Sequence, residues 1–113
     1  MSFFSKIFGQ SPQSDKVQIL SPHEFKARVS APNIQLIDVR TAVEYNKGHI
    51  ENAVNIDFYS GTFYKEMEKQ MVKSKAIYLY CRSGVRSRRA ARKLAKMNFD
   101  EIYDLKGGIL GWK

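Results

Sequence analysis

The run Cys81-Arg82-Ser83-Gly84-Val85-Arg86-Ser87 gathers the residue types that make and hold a nucleophile. Cys81 is the only cysteine among 113 residues. It follows the apolar stretch Ala76-Ile77-Tyr78-Leu79-Tyr80 and precedes a basic, helix-like run. A thiolate is a strong nucleophile, but an ordinary cysteine titrates at about 8.5 and is mostly protonated at neutral pH. No histidine lies near Cys81 in sequence to act as its base. Activation must come from charge and dipoles: Arg82, Arg86, the loop N–H groups and the helix start near Ser87. Gly84 supplies the backbone freedom that lets such a loop fold round an anion. An inert cysteine closing a strand would give the arginines no reason to converge.

These residues need a scaffold, and the pattern predicts one of alternating strands and helices. Val17–Leu20, Gln35–Val39, Ala53–Ile56, Ala76–Tyr80 and Glu101–Leu105 are short apolar runs of strand length. Ser21-Pro22-His23-Glu24 has the N-cap, first-position proline and capping-box glutamate of a helix start, and Thr41 to Glu44 repeats the spacing. Phe63, Met67 and Met71 recur on one helical face. From Ser87 to Met97, Ala90, Ala91, Leu94 and Ala95 face a core, with Arg88, Arg89, Arg92, Lys93 and Lys96 on the wet side. Gly107-Gly108 marks a turn, and Ile109 to Trp112 the start of a last helix. The expected class is α/β, three layers with a mostly parallel central sheet and helices on both faces. In such sheets sites form at the carboxyl ends of strands, where Cys81 falls.

Composition narrows the function. The length fits one domain, taken as residues 17–113 behind a tail and linker over residues 1–16. Hydrophobic residues at 43% and charged residues at 27% are an ordinary globular balance. One cysteine excludes an internal disulfide framework and argues for a reducing, cytoplasmic setting. It also leaves no resolving cysteine, so any sulfur product at Cys81 must pass to a second molecule. His23, His49 and Cys81 lack zinc-type spacing, so neither a metal nor any other cofactor is expected. The net charge of +8 is uneven, with no acidic residue from Lys69 to Phe99. That field favours a small anionic substrate. No nucleic-acid-binding signature is present, and none of the apolar runs reaches transmembrane length. Phe3, Phe4, Ile7 and Phe8 could line one face of a helical turn touching a membrane or the domain; a frayed tail is the preferred reading, and no signal peptide is expected.

Taken in order, the motifs resemble those of the rhodanese-like sulfurtransferase family, single-domain type. They are Asp38-Val39-Arg40, Glu44-Tyr45, Gly48-His49-Ile50 with Ala53-Val54-Asn55-Ile56, the Cys81–Ser87 run, Gly107-Gly108-Ile109 and Trp112. The resemblance covers about residues 17 to 113. It implies Cys81 as the sulfur-carrying nucleophile and the loop from Cys81 to Arg86 as the pocket floor. Family members usually continue the last helix for several residues past the position of Trp112.

The expected function is sulfur transfer. Cys81 attacks the outer sulfur of thiosulfate or a low-molecular-weight persulfide, and a thiol, cyanide or protein acceptor then takes that sulfur. Arg82 and Arg86 hold the anionic donor, while the N–H groups of Ser83, Gly84, Val85 and their neighbours, with the helix start at Ser87, stabilise the charge. Asp38 and Arg40 support the site. Arg40 is expected to pair with Glu44, and Asp38 to orient the loop or pair with an arginine. His49 and Trp112 are read as structural. Tyr45, Tyr59 and Tyr64 either line the pocket mouth or pack. Two rivals remain: a persulfide carrier or docking module, and a phosphatase or arsenate reductase on a related fold. The phosphatase loop needs an arginine six positions after its cysteine, where this chain has Ser87.

Overall fold

A computed structural model describes residues 16–112. The expectations for Phe3, Phe4, Ile7, Phe8 and most of the linker therefore lie outside the described residues. The elements are β1 (Val17–Leu20), α1 (Pro22–Val29), β2 (Gln35–Asp38), α2 (Ala42–Asn46), β3 (Val54–Asn55), α3 (Phe63–Gln70), β4 (Ile77–Tyr80), α4 (Val85–Lys96), β5 (Ile102–Leu105) and a 3₁₀ turn (Gly108–Gly111). All strand pairings are parallel, in the order β1-β5-β4-β2-β3. The expected last helix is that single 3₁₀ turn, and the helix expected from Ser87 begins two residues earlier, at Val85.

Period-two alternation along β4 divides the core. Ile77, Leu79 and Cys81 enter one apolar cluster with Phe63 and Met67 of α3 and Ala90, Ala91, Leu94 and Ala95 of α4. Tyr78 and Tyr80 enter the other, with Phe25 of α1 and the half-buried Trp112. The sheet thus lies between α3 and α4 on one face and α1 on the other, which is the three-layer arrangement.

Local signals set the helix starts. Ser21 caps α1 by accepting from the Glu24 N–H at 3.2 Å. At α2 the box is reciprocal: the Thr41 hydroxyl accepts from the Glu44 N–H at 3.3 Å, and the Glu44 carboxylate accepts from the Thr41 N–H at 3.0 Å. Each such cap contributes about 1 kcal/mol. No helix among the described residues is long and apolar enough to cross a membrane.

Candidate functional site

Central strand β4 delivers Cys81 to the carboxyl edge of the sheet, and α4 starts four residues later. Gly84 makes this abrupt joint, with φ 104° in the left-handed region that glycine tolerates. The chain turns back so that the Gly84 N–H donates to the Cys81 sulfur at 3.0 Å. The Ser87 hydroxyl, one turn into α4, donates to the same sulfur at 3.5 Å and approaches the Gly84 carbonyl at 3.4 Å. No side chain caps α4 and its first turn holds no acid. Its N-terminal partial positive charge therefore faces the thiol. Cys81 is 1% exposed. A thiol so enclosed can meet a single incoming atom more readily than a bulky tetrahedral group.

The far side of the loop rests on the turn after β5. The Ile109 N–H donates to the Cys81 carbonyl at 2.9 Å, and the Leu110 N–H donates to the Arg82 carbonyl at 3.1 Å. Gly107 and Gly108 both have positive φ, 74° and 63°, and Gly108 is packed directly against these carbonyls. The glycine pair is legible in the sequence as a turn; its grip on the cysteine loop is a long-range contact that the sequence reading missed.

The two loop arginines have different surroundings. Arg82 is exposed, and among the described residues its side chain makes no hydrogen bond or ion pair. Arg86 is engaged: its Nη1 and Nη2 donate to the two oxygens of Glu44 at 2.8 and 3.0 Å, and its guanidinium lies over the Tyr59 ring at 5.5 Å. Glu44 is thus both the capping-box acid of α2 and the anchor of the first turn of α4. The bidentate contact with Arg86, aided by the Thr41 N–H, holds the Glu44 carboxyl at about 2, below its ordinary 4.5, although burial opposes this. The expected Arg40–Glu44 pair is therefore not formed. Glu44 sits at a helix start facing α4, whereas Arg40 shares a strand-like parity with Asp38 and turns to that nearer acid.

That second pair is buried. Arg40 donates from Nε and Nη2 to Asp38 at 2.9 and 2.7 Å, and from Nη2 to the Gly48 carbonyl at 2.7 Å. Its guanidinium lies 5.7 Å from the Tyr80 ring centre, and the Tyr80 hydroxyl accepts from the Ile50 N–H at 3.0 Å. Burial is the main cause that pushes the Tyr80 phenol up. Asn55 donates to the Asp38 and Arg40 carbonyls at 3.0 and 2.8 Å, fixing the strand end. Of the loop roles considered for Asp38, pairing with an arginine is the one formed, and the arginine belongs to its own segment. His49 meets the Tyr45 carbonyl at 2.9 Å and stacks on the Tyr45 ring. Tyr64 packs against Phe58, Phe63 and the Lys93 ammonium, leaving exposed Tyr59 as the tyrosine beside Arg86. Among the described residues, no group of three or more His, Cys, Asp or Glu could hold a metal ion.

The Glu44–Arg86 clamp carries a pH signature. Its contribution to stability is fully present above the ordinary glutamate value of 4.5 and is lost as pH falls through about 2. Glu44→Gln is expected to cost about 1–3 kcal/mol at pH 7, because it leaves Arg86 half-paired. Denaturant melts at pH 7 and pH 3 should show the gap between wild type and variant narrowing at the lower pH. An equal gap at both would mean that the carboxylate charge contributes nothing.

A family model described as the rhodanese-like domain matches residues 21–113. The Bacillus subtilis protein YqhL, itself uncharacterized, is 41% identical over 96 residues, which is 85% of this chain and 72% of that protein. The tRNA uridine(34) hydroxylase of Onion yellows phytoplasma is 34% identical over 101 residues, or 87% of this chain, which spans only 33% of the hydroxylase. A crystal structure of a Staphylococcus aureus rhodanese-like domain protein superposes with TM-score 0.72 at 27% identity, covering 85% of this chain and 91% of that one. With the family model spanning most of the chain and the same three-layer fold in a solved relative, this chain belongs to the rhodanese-like domain family.

Proposed function

We propose that this chain is a sulfurtransferase whose nucleophile is Cys81. The observation that carries the reading is the 3.0 Å hydrogen bond from the Gly84 N–H to the Cys81 sulfur, at the uncapped start of α4. A backbone donor and a helix N-terminus together stabilise negative charge on that sulfur, first as thiolate and then as persulfide. In the first half-reaction the thiolate attacks the outer sulfur of thiosulfate. The new bond joins the two sulfurs, the old sulfur–sulfur bond breaks, and sulfite leaves with the electron pair. In the second, cyanide or a thiolate attacks the outer sulfur of the persulfide and regenerates the Cys81 thiolate. Thiocyanate or a new persulfide is the product, so the cycle is ping-pong.

The loop residues take distinct parts in this reading. Arg82, exposed and without a partner among the described residues, meets the anionic donor. The N–H groups from Ser83 through Val85 to Arg86 surround the developing charge, and the Ser87 hydroxyl adds a side-chain donor. The Arg86 side chain, committed to Glu44, shapes the loop instead of gripping the donor. Asp38 and Arg40 brace the end of β2 beside β4. Acceptors are small thiophiles or a partner protein's thiol, and the reducing setting such thiols need fits a cytoplasmic location.

Intact-mass measurement tests the reading. Incubation with thiosulfate or glutathione persulfide is expected to add the mass of one sulfur atom, removable by cyanide or dithiothreitol, with no turnover of aryl phosphates. A mass that stays unchanged, or robust phosphatase activity, would reject it. The hydroxylase relative, in which the matching region is 33% of the protein, favours a second reading as a carrier serving a dedicated partner. A carrier would load one sulfur yet fail to turn over with free cyanide.

A further inference from the structure

The basic side of α4 has no part in the chemistry above. Two shallow depressions run along it from the thiol loop. The first, of about 220 Å³, is lined by Ser83, Gly84 and Val85 of the loop with Arg88, Arg89 and Arg92. The second, of about 460 Å³, shares Arg89 and Arg92 and continues to Lys93, Lys96 and Met97. Together they form a groove as long as the helix, about 18 Å. An extended segment of about five residues would span it, and thiosulfate needs far less. Its charge is of one sign, for no lining residue of either depression is acidic. Arg89, Arg92 and Lys96 are exposed, and among the described residues their side chains make no hydrogen bond or ion pair. Lys93 lies over the Tyr64 ring at 4.2 Å, and Arg88 Nε stands 3.6 Å from the buried Asp104 carboxylate. Arg88 with Arg92, Arg89 with Lys93 and Arg92 with Lys96 are like charges one helical turn apart, a spacing that weakens a helix. An anionic occupant along the groove would offset that repulsion.

We propose that this groove docks an acidic polypeptide segment of a partner protein, whose cysteine enters beside Cys81 and accepts its sulfur. The inference rests on the sulfur transfer proposed above and names its acceptor. The partner's thiolate attacks the outer sulfur of the persulfide, the bond to Cys81 breaks, and Cys81 keeps the electron pair as thiolate. The groove opens at the loop that holds Cys81, which is 1% exposed, so an incoming thiol gains from being held in place. Exposed Val85 and half-buried Met97 mark its two ends and offer apolar contact to peptide side chains. Among the described residues no aromatic side chain lines either depression, whereas single-stranded nucleic acid is held by base stacking. A second copy of this chain, at net charge +8, carries the wrong sign.

Binding is read first, on the unloaded full chain, with a labelled peptide of glutamates ending in a serine. It involves no sulfur step, so it answers even if Cys81 takes no sulfur. The triple variant R89Q/R92Q/K96Q is expected to weaken binding about tenfold. The control K47Q/K65Q/K75Q removes the same charge from exposed positions outside the groove and should weaken it far less. Equal losses in the two variants would overturn the proposal, because net charge alone would then explain them. So would a single-stranded oligonucleotide of matching charge that binds more tightly than the peptide and loses as much in R89Q/R92Q/K96Q. Transfer is read second. Persulfide-loaded protein should pass sulfur to the same peptide ending in cysteine about tenfold faster than to its glutamine counterpart. R89Q/R92Q/K96Q should erase that preference and leave the rate with β-mercaptoethanol unchanged. A preference retained by the variant would overturn the docking role. Protein that loads no sulfur would overturn the proposed function and the acceptor role with it, whereas the binding result would still decide the groove.

Discussion

Gly108→Ala is expected to unseat the Cys81 loop and to destabilise the fold by about 3 kcal/mol or more, placing it among the severe single substitutions. A Cβ there would lie 2.4 Å from the Arg82 carbonyl oxygen and 2.7 Å from the Cys81 carbonyl oxygen. Both are backbone atoms, already fixed by the N–H groups of Leu110 and Ile109, so neither can swing aside cheaply. The positive φ of 63° adds a conformational cost of about 1–2 kcal/mol. Gly107→Ala is the control: its φ is similarly positive at 74°, but no atom lies within 4 Å of the added carbon. It should lose only the conformational part. Denaturant melts and iodoacetamide reactivity would be compared for the two. Similar losses in both variants would show that the close approach of Gly108 to the loop is not what restricts the position.

Cys81→Ser is expected to abolish sulfur loading outright while the protein stays folded. The side chain is 1% exposed and the change is nearly isosteric, so the Gly84 N–H keeps an acceptor. A serine hydroxyl is not ionised near neutrality, and the groups that meet the sulfur among the described residues, the Gly84 N–H and the Ser87 hydroxyl, donate to it and take no proton. No mass gain should follow donor treatment, and thiocyanate formation should fall to the uncatalysed level. Since the chain has one cysteine, no second thiol can substitute. Turnover retained by the serine variant would remove Cys81 from the proposed chemistry, whereas an unfolded variant would be recognised by its lost cooperative melt.

The order of elements was legible because it rests on local signals. Short apolar runs of strand length mark the five strands, and serine or threonine three residues ahead of glutamate marks two helix starts. The position of Cys81 at a strand end followed from the same reading. A capping residue or a short apolar run is fixed by neighbours within four positions, so the linear chain already holds the information. The last helix was overestimated: the run from Ile109 gives no more than a 3₁₀ turn among the described residues, held by its bonds to the cysteine loop.

Choice of partner was decided only by tertiary structure. Glu44 and Arg86 are 42 positions apart, and only the juxtaposition of α2 and α4 beside neighbouring strands brings them together. The motif shows both residues as charged but cannot show that one neutralises the other, and so it could not separate an Arg86 paired with Glu44 from an Arg82 without a partner among the described residues. Two signals were present and unused. Asp38 and Arg40 share strand parity, and Asp104 shares it with core-facing Ile102. Parity says which face a side chain takes, but not what it meets there. Charge pairing depends on distance and on the water excluded around it, and both are set only once the layers have closed over the sheet.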